Sequence, residues 1–288
     1  MTDHPDGLGG NAPCLESYLG VFEGNGAWND VGGDPHAVHG ILANDKSIVA
    51  VGNGAENADN SGEGKRGFII RTNAADASGT ACTYDTTNEI LDRYADLKGA
   101  GTGCNNYKWA TKLGDAGGKI AKANWVAQSS DNNYFIAVGI DQQAGAAKSQ
   151  MAIWKVNAAD GAVVWKMNHG TAGTVTGLES VAVLSDGSFV VGGYTDSEDA
   201  FANFKSSGIV TEGKPFLAKL DKNLADGSSA PTTFVWTYSM TDAVYNGSTK
   251  AIRVGSGDKI FAVVGTASAV VKLNADGSEA WKTGQLDA

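Results

Sequence analysis

The sequence predicts an all-β fold: a propeller-like array of four-stranded antiparallel blades, about four in number, with one short helical insertion. Three observations predict it. Four times a run of apolar β-formers follows a polar turn and ends in glycine, at Asp45–Gly52, Asn132–Gly139, Asp186–Gly193 and Asp258–Gly265. Each run is followed by a second strand-like segment, an Asn/Asp-rich turn and, as a rule, a tryptophan. The composition of 39 glycines, 5 prolines and 19% charged residues in 288 suits many short strands joined by tight turns. It does not suit disorder, which needs low hydrophobicity and high charge. A supersecondary unit repeated along a chain sets its architecture.

The glycine-ended runs are apolar at nearly every position, so both faces of each strand are expected to be buried between stacked sheets. In the third unit, Val181–Leu184 and Phe189–Val191 flank Ser-Asp-Gly-Ser, a strong short-range hairpin signal. The next strands are Gly67–Thr72, Met151–Val156, Phe216–Leu220 and Ala269–Leu273. Each carries one basic residue near its end: Arg71, Lys155, Lys219 and Lys272. These read as solvent-facing strand ends. The turns that follow begin at Asn73, Asn157, Asp221 and Asn274, and three of them contain Asp-Gly. Asn and Asp bond their own backbone there, and glycine supplies positive φ. The last strand of each unit ends at Trp109, Trp165, Trp236 or Trp281, and Trp28 opens the first unit.

Val156-Asn-Ala-Ala-Asp-Gly-Ala-Val-Val-Trp165 and Leu273-Asn-Ala-Asp-Gly-Ser-Glu-Ala-Trp281 resemble the blade repeat of quinoprotein-type (PQQ-like) propellers. Val183-Leu-Ser-Asp-Gly-Ser-Phe-Val-Val-Gly-Gly193 resembles the repeat of bacterial outer-surface propellers. The resemblance covers residues 28–281 as short motifs. It implies a propeller in which the tryptophan after the Asp-Gly turn docks one blade onto the next, and so a blade-packing role for Trp109, Trp165, Trp236 and Trp281. It carries no activity.

Residues 28–288 are therefore assigned to the repeats. Residues 1–27 form an N-terminal segment that completes a blade or contacts a partner. The final stretch Trp281–Ala288 looks like Trp109–Ala116, which leads into another blade. Either residues 15–28 complete a closed ring, or the array is open and its last edge pairs with a partner or a further blade.

Residues 77–108 replace a short turn. Thr86 and Glu89 form a capping box. Ile90, Leu91, Tyr94 and Leu97 share one helical face. Cys82 and Cys104 flank this helix, and their pairing is expected to close a loop of about 23 residues, worth about 3 kcal/mol in the chain-entropy model. Cys14 is left over.

The candidates for chemistry are few. His36 and His39 lie three apart in what reads as a loop, with no third ligand evident. Glu56, Asp59, Asp196, Glu198 and Asp199 fall in acidic loops whose oxygens suit Ca²⁺, although neither loop has the spacing of the twelve-residue calcium loop. No other cofactor is expected. Trp125 and Trp154 fall outside the strand-end series and are the candidates for stacking on a glycan. Asn246-Gly-Ser is the single glycosylation sequon. No nucleophile elbow, phosphate loop or dinucleotide fingerprint occurs.

A net charge of −10 argues against nucleic acid, whose phosphates dominate affinity, and against an anionic membrane surface. No apolar run approaches the length of a membrane span, and Met1–Gly10 lacks the features of a signal peptide. The expected role is a non-catalytic structural or protein-interaction module in an extracellular or lumenal assembly. A carbohydrate-binding propeller is the alternative, and an enzyme of quinoprotein or lyase type with a site in the central channel is a second.

Overall fold

The computed structural model describes residues 36–54, 66–72, 107–114, 120–142, 150–169, 176–195, 215–221, 234–240, 247–265 and 269–283. The N-terminal segment, the cysteines, the helical insertion up to residue 106, the five acidic calcium candidates and Asn246 lie outside these residues.

Sixteen strands are described. They are β1 (His36–Leu42), β2 (Ile48–Gly54), β3 (Arg66–Thr72), β4 (Tyr107–Leu113), β5 (Ile120–Gln128), β6 (Tyr134–Gln142), β7 (Gln150–Asn157) and β8 (Val163–His169), followed by β9 (Thr176–Val183), β10 (Phe189–Thr195), β11 (Pro215–Leu220), β12 (Trp236–Ser239), β13 (Thr249–Gly255), β14 (Lys259–Val264), β15 (Ala269–Leu273) and β16 (Glu279–Lys282). They form four antiparallel sheets of four sequential strands each, β1–β4, β5–β8, β9–β12 and β13–β16. The fold is an all-β, propeller-like array of four-stranded blades.

Three apolar clusters join the blades in sequence. Val51, Ile69, Trp109 and Leu113 of the first blade meet Ala137, Trp154 and Val156 of the second. The opposite face of the second blade, with Val138, Ile153 and Trp165, meets Leu178, Val191 and Phe216 of the third. Val190, Leu217 and Trp236 of the third meet Ile252, Ile260 and Val271 of the fourth. Strands β6 and β7 are buried on both faces as their continuous apolar runs demand. Strands β14 and β15 have equally apolar sequences but alternate between buried and partly exposed residues.

The recurrent glycines have a structural cause. The first strand of every blade carries one extra residue against the second: Val38, Asn124, Glu179 and Lys250. In the first three blades the recurrent glycine stands opposite this bulge. A Cβ on Gly139 would stand 1.9 Å from the Lys122 carbonyl oxygen, and one on Gly193 would stand 1.9 Å from that of Gly177. Gly52 occupies the same register opposite Ala37. In the fourth blade the alignment on Gly265 is one residue late. Val264 stands opposite the bulge there, and Gly265 supplies a left-handed turn with φ 73°.

Two other expectations change. Trp109, Trp165 and Trp236 stand at or near the start of their strands, not the end, and Trp281 is the third of four residues in β16. His36 and His39 belong to strand β1, not to a loop.

Candidate functional site

Two regions collect the chemistry-bearing side chains: the turn-facing end of each blade, where the tryptophans sit, and the place where the first strands converge.

In every blade the tryptophan stands directly opposite the third-strand base, as Arg71–Trp109, Lys155–Trp165, Lys219–Trp236 and Lys272–Trp281. The bases are not solvent-facing ends: Arg71 and Lys155 are buried. The turn before the second strand meets the charge of Arg71 and of Lys219 within the blade. Arg71 donates to Asp45 and, at 2.9 Å, to the Ser47 hydroxyl. Lys219 lies 3.3 Å from Asp186, and the Lys155 ammonium lies 3.6 Å over the Tyr134 ring. Burial tends to raise the Asp45 carboxyl, but hydrogen bonds from Ser47 and the charge of Arg71 outweigh it and hold the group below its ordinary value. A hydrogen bond from Ser188 first, and then Lys219, does the same for Asp186.

The indoles reach the neighbouring blade. Trp109 Nε1 donates to the Ala158 carbonyl at 2.9 Å, and the same oxygen accepts from Arg71 Nη1. Trp236 Nε1 donates to the Ala275 carbonyl at 3.1 Å. Both acceptors follow an asparagine in a turn closed by a left-handed glycine, Gly161 at φ 76° and Gly277 at φ 84°. A Cβ on Gly161 would stand 2.6 Å from Trp109, and one on Gly277 would stand 2.5 Å from Trp236. Each glycine thus permits both its turn and the indole lying on it. Trp165 packs into the cluster shared with the third blade. These three tryptophans are 3%, 8% and 6% exposed in chain order, whereas Trp281 is 42% exposed. Trp281 meets Phe261 edge-on at 6.3 Å.

The first strands converge through polar and aromatic contacts. His39 of β1 stacks on Trp125 of β5 at 3.7 Å between centroids. The Arg253 guanidinium of β13 lies 5.1 Å from the same ring centroid. Asn124 donates to the Leu178 carbonyl at 2.8 Å, and Glu179 faces Lys250 at 3.7 Å. Three of the four bulge residues therefore bridge adjacent blades. His39 Nδ1 accepts from the Val126 amide at 3.3 Å. Burial first, and then the charge of Arg253, lowers its pKa to about 4, so the imidazole is neutral at pH 7.

The two glycan candidates separate. Trp154 is 1% exposed in the core between the first and second blades, where a sugar ring cannot reach it. Trp125 is partly exposed, with His39 stacked on one face. Among the described residues no group of three His, Cys, Asp or Glu side chains is placed to hold a metal. Among them, too, no helix is long and apolar enough to cross a membrane.

Comparison with known proteins returns structures but no family. No family model matches the chain, and no curated protein matches it. A protein of unknown function from Bacteroides caccae is similar over 62% of this chain and 49% of its own length, at 11% identity and a TM-score of 0.37. BamB from Moraxella catarrhalis is similar over 88% of this chain and 80% of its own, at 12% identity and 0.39. A chain in the complex of Drosophila Plexin A with Semaphorin 1b is similar over 83% and 55%, at 9% identity and 0.37. The chain thus spans about half the length of the first of these. Likeness at this level carries no information on activity.

Proposed function

We propose that this chain is a non-catalytic structural or protein-interaction module, and that its contact surface is the outer face of the fourth blade. The observation that carries this reading is the exposure of Trp281, 42% against single figures for its three counterparts. Phe261, Val263 and Val270 are partly exposed on the same face. An exposed apolar patch of this kind marks an interaction site. An extracellular or lumenal setting is part of the proposal. It rests on the Cys82–Cys104 pairing expected from the sequence, since stable disulfides belong to oxidising compartments.

The test is the mass of the full chain by light scattering across a concentration series, together with capture of protein partners, for the native chain and for Trp281→Glu. Concentration-dependent association, or a captured protein, that the charged variant loses supports the reading. A strict monomer that binds no protein sinks it. Non-reducing mass mapping of Cys82 and Cys104 tests the setting.

A further inference from the structure

We infer that the outer face of the fourth blade receives another blade of this same repeat type, and that Trp281 and Lys272 grip a backbone carbonyl in its Asx-Gly turn. The inference rests on the interaction reading above and names the partner's chemistry.

Two of the chain's own three junctions set the precedent, while at the second the Trp165 indole N–H has no hydrogen-bond partner among the described residues. At the first, the Ala158 carbonyl accepts two donors from the preceding blade, the Trp109 indole and the Arg71 guanidinium. At the third, the Ala275 carbonyl accepts the Trp236 indole. In both, the turn glycine leaves room that a side chain would fill. The fourth blade repeats the donor half of this arrangement. Trp281 stands opposite Lys272 in the register that places Trp109 opposite Arg71. The Lys272 ammonium lies 5.3 Å over the Phe261 ring, and among the described residues no carboxylate pairs with it. An indole N–H beside a cation calls for an acceptor oxygen. Phe261, Val263 and Val270 continue the apolar series that covers the three junctions already formed. A glycan would supply hydroxyls to this face but no sheet to bury those side chains. A blade supplies both a carbonyl and an apolar face.

Two probes test it on the full chain. The first is the chain extended after Ala288 by a second copy of residues 120–169, whose Asn157–Gly161 turn already receives Trp109 in the native fold. Residues 283–288 match the 114–119 connection in length. The expected result is a blue shift of Trp281 emission and protection of its indole N–H from exchange, both absent with Gly161→Val in the appended copy. The second probe is a backbone-cyclised hairpin of residues 153–166, added to the unextended chain while the indole N–H resonances are followed. It keeps the test decisive where the appended blade does not fold. The Trp281 resonance is expected to move saturably, the Gly161→Val peptide to leave it in place, and Trp281→Phe to weaken binding about threefold to tenfold, the loss of one hydrogen bond. A Trp281 resonance unmoved by the hairpin, or moved equally by the valine peptide, overturns the inference. If association of the native chain still depends on Trp281 in that case, the interaction reading stands and only the partner's identity falls.

Discussion

The indole nitrogen of Trp109 lies 2.9 Å from the carbonyl oxygen of Ala158, on the neighbouring blade. One hydrogen bond of this kind contributes modestly, but the ring that carries it fills the junction. Trp109→Ala is expected to destabilise the chain by about 3–5 kcal/mol, the range for a buried aromatic truncated in a core. Trp281→Ala is expected to change the stability of the isolated chain far less. Denaturant titration of the two variants side by side checks this. Equal losses would mean that Trp281 is already packed.

The glycines divide into those that face a neighbour and those that do not. Gly139→Ala forces a methyl to within 1.9 Å of a backbone oxygen, and relief requires moving strand β5. The expected loss is about 3 kcal/mol or more, at the level of overpacking a core. Gly257→Ala has φ 68° but nothing within 4 Å, so it should lose only about 1–2 kcal/mol from left-handed strain. Thermal unfolding of both orders them.

Gly161 combines the two penalties. Its φ is 76° and the Trp109 ring occupies the space beside it. Gly161→Ala drives a methyl into the Trp109 ring and Trp109→Ala removes that ring, so the second change relieves the clash and the two effects should fall short of additive by about 1 kcal/mol or more. A double-mutant cycle reads this directly, and simple additivity would detach the glycine from the indole.

Acidification should weaken the fold in two separate windows. His39 has a folded pKa of about 4 against 6.5 for the free group. Between these values the unfolded chain binds the proton and the folded chain does not. The stability present above pH 6.5 is therefore lost as pH falls toward 4. Asp45, Asp131 and Asp186 are held below the ordinary value of 3.8. Their contribution is lost only as pH falls past that value. A stability profile of His39→Gln should be flatter between pH 6.5 and 4 and unchanged in slope below it. An unaltered slope in the upper window would show that His39 does not titrate there.

The second and third strands of each blade could be read from the sequence, because residues such as Val49–Val51 and Met151–Trp154 are apolar on both faces. Of the first strands only that of the third blade could be read, through Val181–Val183 beside the Asp-Gly turn. Strand β5 mixes buried and partly exposed positions without a steady alternation, and its bulge at Asn124 breaks the period of two on which such reading depends. His36 and His39 were hidden by the same interruption. The burial of Arg71 was equally invisible. Its partners Asp45 and Ser47 lie 26 and 24 residues away, and the third acceptor belongs to the next blade. The tryptophans announced packing, but only three-dimensional register shows that each stands beside a cation. Nothing local in Trp281 separates it from its three counterparts, because the difference lies in what is packed against it.

The four bulges place Val38, Asn124, Glu179 and Lys250 at one equivalent position. The backbone there is set by a steric bargain with the opposing strand, and the side chain takes no part in it. Valine, amide, carboxylate and ammonium all occupy the position without altering the pairing around it. The pairing within each sheet therefore puts no demand on the side chain at this position, and what the side chain settles is the contact between neighbouring blades, through Asn124 with Leu178 and Glu179 with Lys250.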